Sequence, residues 1–233
     1  MTEGILIGRE IECRLIHDSM DRKTNIIIFG DEGVGKSAIL GKLLSERNFK
    51  NLLYSEESKT LKKALINFIL FSDDSKKDVR NKNISALKKL FYGLLNKKPE
   101  YIVFDHIEWI EPQYYSFLVY LIEKEVPLIV VSQGLDKNDI GHLWMLLCSF
   151  EKVEIANLDK SGADELIEHY VESFGLETFQ ESDFMKTVFN ISNGNPKIIK
   201  QLCFLAKNEK YRTKGCFDVK LMDLDRRINK AVI

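Results

Sequence analysis

Gly30-Asp31-Glu32-Gly33-Val34-Gly35-Lys36-Ser37 fits the pattern G-x-x-x-x-G-K-[ST], and both flanks are the ones this pattern requires. Before it, Asn25-Ile26-Ile27-Ile28-Phe29 reads as a buried strand. After it, Ala38-Ile39-Leu40-Gly41-Lys42-Leu43-Leu44 reads as a helix. A strand that passes through a glycine loop into a helix N-terminus forms a phosphate cradle, because the loop N–H groups point inward and the helix dipole favours an anion. On this reading Lys36 reaches the β- and γ-phosphates of a nucleotide and Ser37 ligates Mg2+. The backbone from Gly30 through Asp31, Glu32, Gly33, Val34 and Gly35 to Ala38 wraps the phosphates. The bland alternative, a tight turn that matches by chance, does not account for the flanks.

Strands and helices alternate outward from this loop. Residues 9–20 form a short helical pattern with Ile11, Leu15 and Ile16 on one face, and the loop's own helix runs to about Arg47. Residues 51–54 read as a second strand, 58–70 as a helix, 71–83 as a polar surface loop and 84–95 as an amphipathic helix. Tyr101-Ile102-Val103-Phe104-Asp105 is a buried strand ending in a carboxylate. A helix over 113–124, a buried strand over 127–132, a helix over 139–150 and a last strand over 152–155 follow. Continuous apolar strands imply a parallel sheet covered on both faces, with binding at the carboxyl ends of the strands. Gly30, Asp105 and Ser132 all fall there. After about Asn157 the strand signal stops, and residues 164–174, 183–192, 196–206 and, weakly, 219–230 read as helices. The expected fold is α/β: a P-loop NTPase parallel sheet flanked by helices over residues 1–157, then a small all-α lid domain with a basic tail over 158–233.

The 233 residues suit one domain with an appendage or two compact domains, and 45 % hydrophobic content is enough for a real core. Net charge is −1, so nothing global points to nucleic acid or membrane. No apolar run approaches ~18 residues, which leads to the expectation of a cytoplasmic chain without signal peptide or membrane span. The four cysteines lack a C-x-x-C pair and read as reduced thiols. Charge is segregated nonetheless. Lys76, Lys77, Arg80, Lys82, Lys88, Lys89, Lys97 and Lys98 stand against Asp78 alone, and residues 197–230 are basic again. These segments read as solvated helix faces, or as a basic rim for nucleic acid or an acidic partner.

Asp105 lies about 70 residues after the loop in the form of a Walker B acid, which with Ser37 suffices for Mg2+. Further motifs give the chain a resemblance to AAA+ ATPases of the STAND and Orc/Cdc6-like type. Ile7-Gly8-Arg9-Glu10 is similar to the box that opens these proteins. Phe104-Asp105-His106-Ile107-Glu108-Trp109-Ile110-Glu111-Pro112 resembles the STAND Walker B run, and Ser192-Asn193-Gly194-Asn195-Pro196-Lys197 resembles the Gly-x-Pro motif of their lid. The resemblance implies an adenine nucleotide, ATP or ADP, clamped between the α/β domain and the lid. Ile5 to Arg9 (Ile5, Leu6, Ile7, Gly8 and Arg9) would line the adenine pocket and Pro196 would pack near the base. Lys197 would touch the γ-phosphate where relatives carry an arginine, and Ser132 or Gln133 would be the polar group that senses it. The plain readings are Ile5 and Ile7 as core and Asn195-Pro196 as an ordinary helix start.

The departures from that pattern are as informative. His106 stands where the family places the acid that polarises the attacking water. No arginine occurs between Arg80 and Arg212, so the usual site of an arginine finger, worth ~10³–10⁵ in rate, has none. Slow hydrolysis is expected, which suits a switch acting on a separate partner. A DNA-associated AAA+ ATPase and a nucleotide-binding module without turnover remain as alternatives. A small-molecule kinase fits poorly.

Overall fold

Ile26, Ile27 and Ile28 are inaccessible to solvent, and so are Ile102, Val103 and Phe104. These apolar runs become the inner strands of a sheet because both of their faces are covered. The computed structural model describes residues 6–47, 49–72, 77–176, 181–213 and 216–231. Ile5, Lys76 and Lys214 lie outside the described residues.

The chain divides into two compact units. The first comprises residues 11–31 and 36–155. Its elements are α1 (Glu10–Asp21), β1 (Ile26–Phe29), α2 (Lys36–Glu46), β2 (Leu52–Ser55), α3 (Leu61–Ser72), α4 (Ile84–Leu95), β3 (Tyr101–Phe104), α5 (Pro112–Glu123), β4 (Leu128–Ser132), α6 (Lys137–Ile140) and β5 (Glu151–Glu154). The five strands are all parallel in the order β2-β3-β4-β1-β5. β1, at whose end the glycine loop begins, pairs with β4 so that Phe29 lies opposite Ser132. β3 is the next strand out from β4. Gly30, Ser132 and Asp105 therefore emerge at the same edge of three strands. Phe68 meets Phe91 and Phe104 at centroid distances of 5.3 and 5.0 Å, and Phe91 meets Phe117 at 5.2 Å. Burial of each such ring stabilises the fold by about 1.5–3 kcal/mol.

Two expectations change in this unit. The helix expected over 139–150 is α6 followed by a 3-10 helix, His142–Ser149. Gly141 separates them with φ 57° and ψ −130°, a conformation that ends a helix. A Cβ there would lie 2.6 Å from the Ile110 carbonyl oxygen, so the residue must be glycine. On α1 the packed face is Ile16, Ser19 and Met20, while Ile11 and Leu15 are 72 % and 51 % exposed. Ile11 and Leu15, four apart, share a neighbouring face that turns to solvent.

The second unit comprises residues 6–10, 32–35 and 156–231. It contains α7 (Lys160–Phe174), α8 (Glu181–Ser192), α9 (Pro196–Leu205), β6 (Arg212–Thr213), β7 (Cys216–Phe217) and α10 (Val219–Ala231). The two-residue antiparallel ribbon β6–β7 was not anticipated in an otherwise helical region. Ile167, Val188, Ile199, Leu202 and Met222 form its buried centre. Asp159 caps α7 by accepting the Gly162 N–H at 2.8 Å, and Gly175 closes it in a left-handed conformation.

Candidate functional site

In the first unit the end of β1 passes into Gly30, whose φ of 150° suits glycine and whose N–H donates to the Gln133 carbonyl at 3.1 Å. Asp31 is exposed. Lys36 opens α2, and its ammonium donates to the carbonyls of Gly30 at 2.5 Å and Asp31 at 2.8 Å. Ser37 and Ala38 follow, exposed, in the first turn. The Ser37 hydroxyl donates to Oδ1 of Asp105 at 3.3 Å. Asp105 is only 1 % exposed although it follows the last residue of β3. Its Oδ1 also accepts the His106 N–H at 2.9 Å, and its Oδ2 accepts the Tyr54 hydroxyl at 3.1 Å. Burial first, then the Asp105 charge, push the Tyr54 hydroxyl well above its ordinary range, so it stays a donor.

His106 sits at φ 55°, a left-handed conformation uncommon outside glycine. Its Nδ1 is 3.1 Å from the Glu56 carbonyl and 3.2 Å from Asp105 Oδ1. Both neighbours are acceptors, so Nδ1 is placed to donate a proton to them and Nε2 is left facing away. Ser132, buried at the end of β4, donates its hydroxyl to the Gly134 carbonyl at 2.8 Å. Glu108 is turned to an ion pair with Lys59 at 2.5 Å.

In the second unit the centre of the glycine loop meets the start of α9. Asn195 caps that helix through the N–H groups of Lys197 and Ile198, and its Nδ2 donates to the Glu32 carbonyl at 3.0 Å. The Lys197 N–H donates to the Gly33 carbonyl at 3.1 Å, and its ammonium pairs with Glu32 Oε1 at 2.6 Å. Gly33, at φ 85°, has no room for a side chain: a Cβ would lie 2.7 Å from Lys197 Cβ. Val34 is buried, and Gly35 follows at φ 101°. Arg9 is 4 % exposed and donates to the carbonyls of Val34 at 3.0 Å and Ala156 at 2.6 Å. Ile7 packs against the helical core, and Gly8, at φ 63°, lies against Leu158. Pro196 occupies the first turn of α9, where its missing N–H costs nothing.

No protein-family model and no curated protein matches the sequence. Solved structures do match in fold. A Walker-type ATPase of Pyrococcus abyssi superimposes with a TM-score of 0.62 at 13 % identity, over 97 % of this chain and 72 % of that one. The Orc1 protein of Aeropyrum pernix, solved in complex with DNA, gives 0.67 at 13 % identity over 95 % of this chain and 66 % of its own. AMPPCP-bound DnaA of Aquifex aeolicus gives 0.58 at 17 % identity over 96 % and 69 %. In fold the chain is similar to these AAA+ P-loop ATPases.

Within this AAA+ fold the glycine-loop residues, Asp105, His106 and Ser132 have the positions described, and Ile7, Gly8, Pro196 and Lys197 lie in the second unit. Arg9, expected at the adenine pocket, together with Tyr54 and Asn195 also bears on the loop and the acid. Arg9 had a signal in the Gly8-Arg9-Glu10 box, and Asn195 had one as a helix cap. Tyr54 had none beyond its place at the end of a strand. Among the described residues no group of three or more His, Cys, Asp and Glu is arranged to hold a metal. A hydroxyl and one buried carboxylate fit Mg2+, which keeps most of its ligands as water and phosphate. Among the described residues no helix is long and apolar enough to cross a membrane.

Proposed function

We propose that the chain binds ATP with Mg2+, hydrolyses it slowly, and acts as a nucleotide-dependent switch on a partner. The observation that carries this reading is the 3.3 Å approach of the Ser37 hydroxyl to the buried Asp105 carboxylate, beside a glycine loop that opens a helix. Ser37 and Asp105 would hold Mg2+, which when bound neutralises charge on the phosphates. Lys36 would exchange its two carbonyl contacts for phosphate oxygens, and charge assistance favours that exchange. Ile7, Gly8 and Pro196 would meet the adenine, and Lys197 would meet the γ-phosphate.

Slow turnover follows from the side chains that would handle the water. His106 stands with an imidazole where a carboxylate would polarise the water. Ser132 gives its proton to Gly134, so it offers a water lone pairs only. The reading is tested by measuring ATP·Mg2+ affinity and turnover per chain across a concentration series, beside Lys36→Ala. Tight binding with a slow rate independent of concentration supports the switch, and tight binding without turnover supports a binding module. Retained tight binding in Lys36→Ala counts against the phosphate assignment.

The exposed lysines favour a second reading, a DNA-associated ATPase. Lys89, Lys97 and Lys98 are exposed and form no ion pair among the described residues. The Orc1 relative was solved on DNA. Binding to duplex DNA that weakens steeply with salt would support it, because phosphate contacts release counterions.

A further inference from the structure

Asp105 is gripped by one short segment of chain, residues 54–58 at the end of β2. The Asp105 N–H donates to the Ser55 carbonyl, and the Asp105 carbonyl accepts the Ser58 N–H, each at 2.9 Å. Ser55 and Ser58 are inaccessible to solvent, and the Ser58 hydroxyl donates to Ser55 Oγ at 2.9 Å. Asn67 of α3 ties the segment down by donating to the Glu57 carbonyl at 3.2 Å. These bonds fix the backbone of Asp105 without involving its carboxylate.

The carboxylate is held separately. It can turn about its own bonds, and its two oxygens carry about four lone-pair sites. Oδ1 takes the Ser37 hydroxyl at 3.3 Å and the His106 N–H at 2.9 Å. Oδ2 takes the Tyr54 hydroxyl at 3.1 Å. Tyr54 suits this contact by its length. Its backbone lies opposite Val103, and Asp105 is two residues, about 6.6 Å of strand, further along. Serine or asparagine at position 54 would end short of the carboxylate, whereas a phenolic hydroxyl reaches it. The half-buried ring lies against Phe71 of α3, with centroids 6.0 Å apart, so packing steadies the arm that carries the hydroxyl.

We propose that Tyr54 is a positioning residue for the divalent cation: its hydroxyl fixes the plane of the Asp105 carboxylate and keeps Oδ1 turned toward Ser37. This rests on the reading of Ser37 and Asp105 as the groups that hold Mg2+. Without the hydroxyl, Oδ2 becomes a buried acceptor short of a donor, and the carboxylate turns to find one. An ion that demands near-ideal octahedral geometry tolerates such turning poorly. Partners that orient a metal-binding group are typically worth about 10–100-fold in metal affinity.

The test is the gain in nucleotide affinity that metal brings. Calorimetry gives the dissociation constant of AMPPCP with Mg2+ and with EDTA for the wild type, Tyr54→Phe, Asp105→Asn and the double variant. Electron paramagnetic resonance gives the Mn2+ affinity of each AMPPCP complex. Tyr54→Phe should lower the metal gain and the Mn2+ affinity by about tenfold or more and leave the affinity in EDTA within about twofold. In the Asp105→Asn background it should change nothing further, because Tyr54 acts through that carboxylate. A tyrosine that only packs would lower affinity equally with and without metal, and that result overturns the proposal. A wild-type gain that Tyr54→Phe retains overturns it too, and leaves the Mg2+ assignment of Ser37 and Asp105 standing. So does an equal loss in the Asp105→Asn background. A wild type without any metal gain overturns that assignment itself, and the proposal with it.

Discussion

Gly194 is packed against the backbone of Leu158: a Cβ added to it would lie 2.0 Å from the Leu158 carbonyl oxygen, and the Leu158 N–H donates to the Gly194 carbonyl at 2.9 Å. Its φ of +75° disfavours any other residue as well. Gly194→Ala should therefore destabilise the protein by about 1–3 kcal/mol. Gly175→Ala is the control, because Gly175 has φ +62° but nothing within 4 Å of an added Cβ. It should cost about 1 kcal/mol. Urea unfolding of both variants checks the order, and equal losses would mean that the contact yields.

His106→Glu should raise ATP turnover by about tenfold or more, within the range that a positioned general base supplies. Nucleotide affinity should change little, since the residue is expected to handle the water and not the phosphates. Single-turnover rates beside equilibrium binding separate the two quantities. An unchanged rate would remove His106 as the cause of slow hydrolysis.

Asn195→Ala removes a helix cap and, with it, the donor to the Glu32 carbonyl. The expected loss is about 2 kcal/mol, the upper end for a cap, because Asn195 is buried and also reaches Asn157 at 3.3 Å. Asn83→Ala, a cap with one bond to the Ala86 N–H, should lose about 1 kcal/mol. Thermal melting of both variants makes the comparison.

Asp225 accepts from the Lys210 ammonium and the Tyr211 hydroxyl, each at 2.8 Å, and these hold its carboxyl below the usual range. A carboxylate with a lowered folded pKa contributes stability above its unfolded value, near ~3.9, and loses that contribution as pH falls through the folded one. Asp225→Asn should therefore melt below the wild type at pH 6. The gap should narrow as pH drops under ~4. A gap that is constant across that window would show that charge has no part in the contact.

The sheet was legible because each inner strand is an unbroken apolar run and because the glycine motif fixes which end of it binds. The break at Gly141 was not, since residues 143–147 are apolar without a period and a single glycine inside a helical pattern is often tolerated. Ile11, Leu15 and Ile16 share a sequence neighbourhood, but only Ile16 finds a partner. Arg9 is the clearest case among the site residues. Its acceptors are 25 and 147 positions away, and no local pattern encodes a contact at that separation. The left-handed turn at His106 had no glycine to announce it. The fold thus followed from local regularity, whereas the supports of the glycine loop depend on side chains brought from distant parts of the chain.

The scattered make-up of the second unit also sets an order of events during synthesis. A nascent chain ending at Ile155 already contains all five strands, Lys36, Ser37 and Asp105. It contains neither Ala156 for the Arg9 guanidinium nor Asn195 and Lys197 for Glu32 and Gly33. Ala156 is the next residue to be added, but Asn195 and Lys197 lie about 40 residues further on, so at about 5–20 residues per second several seconds pass before they emerge. The middle of the glycine loop waits through that interval, which makes the loop's final shape one of the last features a new molecule acquires.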